Sequence, residues 1–128
     1  MQDAPPPESI LDAVAAYLRD VAAPALPPHA AFEARVAANA LDIVRRGLAS
    51  GPEEASERAR LAALVGRDGP LDDLTRELAD RIRDGALTAE APGLIDHLWR
   101  TILAKVAVDQ PKFPPYRRLT QADRPEGA

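Results

Sequence analysis

Proline and glycine residues divide this chain into segments that each carry the periodicity of an α-helix. The breaks fall at residues 5–7, 24–28, 51–52, 69–70, 92 and 111. Glycine ends helices, and proline ends them or occupies their first position. Between the breaks, apolar residues recur every three to four positions, and no stretch of useful length alternates as a strand would. The pattern predicts an all-α fold.

The spacing of the breaks predicts five helices. We expect them at about residues 8–23, 29–49, 52–65, 70–84 and 92–109, with glycines at 66 and 85 closing the third and fourth. Short connections favour antiparallel neighbours, so residues 1–110 are predicted to form one up-and-down bundle. Residues 111–128 begin with a proline-rich, basic stretch and end in polar residues. They are predicted to form an extended C-terminal arm that is partly disordered.

Three of the predicted helices carry large apolar side chains on one face, which we expect to be buried. The fourth helix has the clearest stripe, with apolar residues at intervals of three, four and four from Leu71 to Ile82. The predicted core residues are Phe32, Val36, Ile43, Leu74, Leu78, Ile82, Ile95, Leu98 and Ile102. His97 lies away from the stripe of the fifth helix, so its imidazole is predicted to be solvated.

Composition excludes several kinds of site. The chain has no cysteine and only two histidines, which rules out disulfides, thiolate metal sites and a histidine-rich metal centre. Its net charge is -4, with 16 basic and 20 acidic residues, and it lacks the basic block typical of nucleic-acid-binding proteins. No phosphate-binding glycine loop or hydrolase motif is present. We therefore expect no metal, no cofactor and no nucleic-acid partner.

The sequence shows neither a targeting signal nor a membrane span. Its N-terminus has no basic region followed by an apolar one. No apolar run approaches the roughly 18 residues that a transmembrane helix needs. We expect a cytoplasmic protein that does not bind membranes.

Four polar residues occupy unusual places on the predicted helices. Arg35 and Asn39 lie one turn apart on the second helix, and the Asn39 amide is expected to bind a neighbouring helix or a terminal carbonyl. Asp109 lies on the apolar face near the C-terminus of the fifth helix, where a carboxylate needs a partner. Lys105 precedes it by one turn. The four residues form either a binding site or a structural network in which Arg35 pairs with Asp109.

Three stretches of the sequence resemble a known family. They are residues 32–41 (FEARVAANAL), 78–87 (LADRIRDGAL) and 103–112 (LAKVAVDQPK). They are similar to DUF6285, a family of short bacterial proteins of unknown function, over about residues 9–113. The resemblance implies a place beside aminoglycoside-phosphotransferase-like kinases and acyl-CoA dehydrogenases. It supplies no catalytic residue that could be transferred to this chain.

The resemblance and the lack of a catalytic motif together predict a non-catalytic accessory subunit. Its partner would be a phosphotransferase-type kinase that acts on hydroxyacyl-CoA, with an acyl-CoA dehydrogenase as a second candidate. Phe113, Tyr116 and Arg117 of the arm are the expected anchors, because aromatic and arginine side chains dominate binding energy at interfaces. Two alternatives remain open. One is a ligand-binding or catalytic bundle that uses the four polar residues, and the other is a self-associating structural bundle.

Overall fold

A computed structural model describes residues 4–122 of the chain. The chain divides into two compact units, Met1–Ser50 and Gly51–Ala128. All regular structure in residues 4–122 is helical, which confirms the predicted all-α class. None of these helices is long and apolar enough to cross a membrane. That residues 1–110 form a single bundle stays a prediction.

The first unit is a hairpin of two helices. Helix α1 spans Pro7–Tyr17 and continues through a π-helical turn at Leu18–Ala22 and a single α-helical turn at Ala23–Ala25. After two connecting residues the chain reverses into α2, Pro28–Leu48. Both helices begin with proline, whose missing N–H costs nothing at a position where no helical acceptor exists. The predicted starts of the first two helices are therefore confirmed to within one residue.

Pro24 accounts for the π-helical turn. A proline inside a helix donates no backbone hydrogen bond, and its ring collides with the carbonyl four residues earlier. That carbonyl belongs to Asp20, in the middle of Leu18–Ala22. The wider π-helical turn moves this carbonyl away from the proline ring and so relieves the collision. Helical backbone consequently runs past Pro24 to Ala25, where the sequence alone predicted a stop.

Alanine side chains fill the contact between α1 and α2. Over residues 4–50 the buried residues are Ala15, Ala23, Ala31, Ala34 and Ala38, with exposures of 8% or less. Small side chains at a helix contact allow a short interaxial distance. This alanine seam holds the hairpin together, so its packing depends on close backbone approach rather than on large side chains.

The large apolar residues of α2 lie outside the alanine seam. Phe32, Val36 and Ile43 are exposed at 59%, 49% and 38%, so their predicted burial was wrong. Helix α2 has two apolar faces, one of alanines and one of larger residues. Periodicity locates apolar faces but does not tell which of two faces meets the neighbouring helix.

Over residues 51–122 the second unit contains four helices. They are α3 (Gly51–Val65), α4 (Leu71–Arg83), α5 (Leu94–Asp109) and α6 (Pro114–Ala122). The bounds of α3, α4 and α5 agree with the sequence prediction to within two residues. Gly66 and Gly85 follow α3 and α4 with φ of 84° and 78°. Glycine adopts this left-handed conformation without strain, which explains the sharp helix ends.

A leucine-rich core joins α3, α4 and the start of α5. Its buried members are Leu61, Val65, Leu74, Leu78 and Leu94. The predicted burial of Leu74 and Leu78 is therefore confirmed. Leu98 packs against this core as a half-buried residue. Ile82 is 40% exposed, so its predicted burial was wrong; it lies one turn beyond Leu78, near the end of α4.

Residues 114–122 form a helix instead of the extended arm that we predicted. Pro114 and Pro115 occupy its first two positions, where the fixed proline φ angle favours helix initiation. The Thr120 hydroxyl donates a hydrogen bond to the Tyr116 carbonyl at 3.0 Å. The prediction failed because consecutive prolines are compatible with both extended chain and a helix start. Residues 123–128 of the predicted arm lie outside the described residues.

Candidate functional site

Helix α5 has apolar side chains on two faces. On one face Leu94 is buried in the leucine core. On the other, Ile95, Trp99 and Ile102 follow one another at intervals of four and three residues and are 57%, 50% and 52% exposed. We call these three residues the α5 stripe. A helix that is apolar on both faces is normally covered on both, so the α5 stripe is a candidate interaction surface.

The burial of Ile95 and Ile102 was predicted wrongly, and so was the solvation of His97. His97 is only 3% exposed and lies on the buried face of α5. Both errors have one cause. The stripe of larger side chains was taken as the inner face, whereas the face with Leu94 and His97 is the one that packs.

His97 lies in a polar contact between α3 and α5. Burial is the main cause that lowers the pKa of His97, and the positive charge of Arg60 lowers it further. The carboxylates of Glu57 and Asp96 act in the opposite direction. The Thr101 hydroxyl donates to Glu57 Oε1 at 3.3 Å, which links the two helices directly. The arrangement favours a neutral imidazole.

Arg60 is held from within its own helix. Its guanidinium donates to Ser56 Oγ at 2.9 Å and to Glu53 Oε1 at 3.4 Å. The Arg60 Nε and the His97 Nδ1 are buried without a hydrogen-bond partner among the described residues. No group of three or more His, Asp or Glu side chains in residues 4–122 is placed to hold a metal ion. We therefore interpret this cluster as a polar helix contact.

A second polar cluster ties the two helices of the first unit together. Arg19, in the π-helical turn, donates to Asn39 Oδ1 at 2.8 Å and to Asp42 Oδ2 at 2.5 Å. Arg45 Nε lies 3.8 Å from Asp42 Oδ1. The hydrogen bond from Arg19 is the main cause that holds the pKa of Asp42 below its usual value. Of the two partners expected for the Asn39 amide, the structure shows a neighbouring helix, through Arg19.

The four polar candidates are divided between the two units. Arg35 and Asn39 are exposed on α2, and Lys105 and Asp109 are exposed on α5. A joint site of these residues stays a prediction. Arg19 and Asp42, the residues that accompany Asn39, were not predicted from the sequence. Arg19 and Asp42 come close together only because the chain reverses before α2. The spacing of residues within a single helix does not indicate such a contact.

Helix α6 and the residue before it form a basic, aromatic surface. Phe113 and Leu119 are each 45% exposed, and Tyr116 is half-buried. Arg117 and Arg118 are exposed. We call these five residues the α6 surface. The helix contacts α5 but has no buried residue of its own.

A family model described as "Domain of unknown function (DUF6285)" matches residues 24–113. The chain belongs to this family. The DUF6285 match contains all of α2 to α5, including the α5 stripe, and it ends at Phe113, immediately before α6. No curated protein and no solved structure matches the chain at a significant level.

Proposed function

We propose that this DUF6285 protein is a non-catalytic accessory subunit of a phosphotransferase-type kinase that acts on hydroxyacyl-CoA. In this role the kinase transfers the terminal phosphoryl group of ATP to the substrate hydroxyl. The accessory subunit binds the kinase and stabilises it. The observation that carries the proposal is the α6 surface.

Helix α6 is too short to be stable through its own backbone hydrogen bonds. It has nine residues, none of them buried, whereas isolated helices shorter than about 12–15 residues are marginal in water. The exposed Phe113, just before the helix, and the exposed Leu119 within it would gain free energy on contact with another apolar surface. A docking helix has these properties before its partner is bound.

The charge of this segment indicates the character of the partner surface. Residues 110–122 contain Lys112, Arg117 and Arg118 and no acidic residue, within a chain of net charge -4. Opposite charges at an interface speed association and select the partner. An apolar groove with an acidic rim would therefore fit the α6 surface, in the manner of other helix-in-groove complexes.

The resemblance to DUF6285 indicates the class of partner. Kinases of the aminoglycoside-phosphotransferase type and acyl-CoA dehydrogenases are the expected neighbours of DUF6285 proteins. The kinase is the first candidate, and the dehydrogenase is the second. A kinase brings its own catalytic residues, so its accessory subunit needs only a binding surface.

Co-purification with such a kinase tests the proposal. The subunit should form a stable complex with the kinase and raise its rate or its thermal stability. Replacing Arg117 and Arg118 together by Glu should weaken the complex by roughly tenfold or more, since like charges would then face the acidic rim. The matched control is the double replacement of Arg76 and Arg83 by Glu, because both are exposed arginines on α4.

Three results would contradict the proposal. One is turnover of hydroxyacyl-CoA and ATP by the isolated chain, which would favour a small enzyme instead. Another is a kinase whose activity and stability are independent of the chain. The third is a complex that survives both the α6 charge reversal and deletion of residues 111–128.

A further inference from the structure

Thr120 lies in the last turn of α6 and presents a hydroxyl group shortly after two arginines. Arg117 and Arg118 precede it by three and two residues, in the sequence Arg-Arg-Leu-Thr. All three side chains are exposed. The Thr120 hydroxyl donates a hydrogen bond to the Tyr116 carbonyl of its own helix at 3.0 Å. Thr120 is therefore an accessible hydroxyl in a positively charged setting.

No other serine or threonine of the chain has this setting. The sequence contains three serines and four threonines, and only Thr120 has basic residues at both the second and the third position before it. Ser56 and Thr75 have two acidic residues at these positions instead. Thr75 is exposed on α4, as Thr120 is on α6. It therefore provides a comparison of equal exposure and opposite charge.

The two threonines also differ in how firmly their helices are held. Helix α6 spans nine residues, none of them buried, and segments with few buried apolar contacts open locally at a small cost in free energy. Thr75 directly follows Leu74 and lies one turn before Leu78, both buried in the leucine core. An enzyme that binds its substrate as an extended segment therefore reaches Thr120 far more easily than Thr75.

From the arginine pair, the exposed hydroxyl and the weakly held helix we infer that Thr120 is the phosphorylation site of an arginine-directed protein kinase. Kinases of this class select substrates by their charge pattern, with acidic side chains that bind the basic residues before the acceptor. The Thr120 oxygen attacks the γ-phosphorus of ATP, the bond from that phosphorus to the β–γ bridging oxygen breaks, and ADP leaves. The hydroxyl proton passes to the catalytic aspartate of the protein kinase.

Phosphorylation changes the charge of α6 and of the residues just before it. Residues 110–122 contain three basic residues and no acidic one, which gives a charge of +3. A phosphate contributes roughly -1.5 to -2 at neutral pH, so about +1 remains. Arg117 lies one turn before Thr120 on the same side of the helix, where it pairs with the phosphate. It is then no longer available to an acidic surface.

The stability of the helix changes less than its charge. An anion in the last turn is unfavourable because it faces the negative end of the helix dipole. The pair between the phosphate and Arg117 is favourable and of similar size. The lost charge is therefore the larger effect. This consequence rests on the proposed function: phosphorylation of Thr120 weakens the binding of α6 to the acidic rim of the partner kinase.

Phosphorylation of the full chain in solution tests the site. The probe is the catalytic subunit of cAMP-dependent protein kinase with ATP, since this enzyme prefers arginines at the second and third positions before its target. Tandem mass spectrometry should locate the phosphate on Thr120 and find none on Thr75. Replacing Arg117 and Arg118 together by Ala should lower the rate by roughly tenfold or more.

The control for the arginine replacement uses the same chemistry on another helix. Arg76 and Arg83 are exposed arginines of α4. Their double replacement by Ala should leave the rate of phosphorylation unchanged. Phosphopeptide mass spectrometry of the chain from the cells that naturally produce it should then find phosphothreonine at position 120 in a fraction of the molecules.

A binding measurement separates this inference from the proposed function. The phosphorylated chain should bind the partner kinase with a dissociation constant raised by roughly tenfold or more over that of the unmodified chain. Thr120→Ala should bind like the unmodified chain, both before and after treatment with the protein kinase and ATP. If the unmodified chain does not bind the partner kinase, the proposed function fails, whereas the modification of Thr120 is still measured.

Other outcomes decide against the phosphorylation site. It is wrong if Thr120 stays unmodified in solution, or if the double replacement of Arg117 and Arg118 does not slow the reaction. It is also wrong if the chain from its natural cells carries no phosphate at position 120. Equal binding of the phosphorylated and unmodified chains would contradict the effect on the partner kinase.

Discussion

Arg19 donates a hydrogen bond to Asn39 at 2.8 Å and so fixes the π-helical turn of the first helix against α2. The same guanidinium donates to Asp42, one turn further along α2. A proline-induced irregularity in one helix is thus held by two polar side chains of the next. The alanine seam gives little volume to pack, and the two bonds from Arg19 add polar contacts between the helices.

Removal of the Asp42 charge should destabilise the first unit. The pKa of Asp42 lies below its usual value of 3.8, chiefly through the hydrogen bond from Arg19. The stabilisation is therefore complete above pH 3.8 and is lost as the pH falls through the lower folded-state pKa. Asp42→Asn should cost about 1 kcal/mol at pH 7 and less below pH 3, measured by urea unfolding followed by circular dichroism.

The control for this prediction is an ion pair that is largely exposed to solvent. Asp80 and Arg83 approach to 2.7 Å, with side chains 59% and 74% exposed. Asp80→Asn should change the free energy of unfolding by no more than about 0.5 kcal/mol. Equal losses for Asp42→Asn and Asp80→Asn would mean that the Arg19 contacts do not hold the hairpin.

Acid should weaken the second unit through His97. Burial, assisted by Arg60, lowers the pKa of His97 below the usual 6.5. The unfolded chain therefore binds a proton near pH 6.5 that the folded chain accepts only at lower pH. Stability is complete above pH 6.5 and falls below it, by at most about 1.4 kcal/mol per pH unit, until the folded pKa is passed.

Unfolding curves between pH 7.5 and 5, followed by Trp99 fluorescence on the same helix, measure this effect. His97→Gln should remove most of the pH dependence, whereas His29→Gln should retain it, because the His29 side chain is 87% exposed. If His29→Gln, and not His97→Gln, removed the dependence of stability on pH, the titrating group would lie in the first unit and the prediction would be contradicted.

A larger side chain in the alanine seam should separate α1 from α2. Ala38 has no exposed surface, so Ala38→Leu forces the helices apart and should cost about 1–3 kcal/mol. Ala37→Leu, at the exposed neighbouring position, should be close to neutral. The free energies of unfolding of the two variants are to be compared by urea titration. A stable Ala38→Leu variant would show that the helices do not need close approach.

Truncation of the leucine core should be costly. Leu78 is 4% exposed within the cluster that joins α3, α4 and α5. Leu78→Ala should lower the free energy of unfolding by about 2–5 kcal/mol, since a cavity replaces buried methyl groups. Ile82→Ala, at a 40% exposed site on the same helix, should cost clearly less. An unchanged melting temperature for Leu78→Ala would show that the core lies elsewhere.

Helix boundaries could be predicted from the sequence because they depend on local chemistry. Proline at a first helical position and glycine just after a helix act within a few residues, so α2 to α5 were located to within two residues. Burial in α4 was also largely predicted, as at Leu74 and Leu78, because that helix has a single apolar stripe. The DUF6285 resemblance likewise depended only on local patterns.

Only the tertiary structure decided which face of α2 and α5 is buried. Both helices have two apolar faces, and the choice depends on the shape of the neighbouring helix. Ala15 of α1 and Ala23 of the turn that follows it are small, so the alanine face of α2 packs on this side and leaves Phe32 and Val36 outside. In α5 the face that carries Leu94 and His97 meets the leucine core and α3, so His97 is buried and Trp99 is exposed. The spacing of apolar residues within one helix shows that the helix has an apolar face. Whether that face is buried depends on a neighbouring helix, which is formed by another part of the chain.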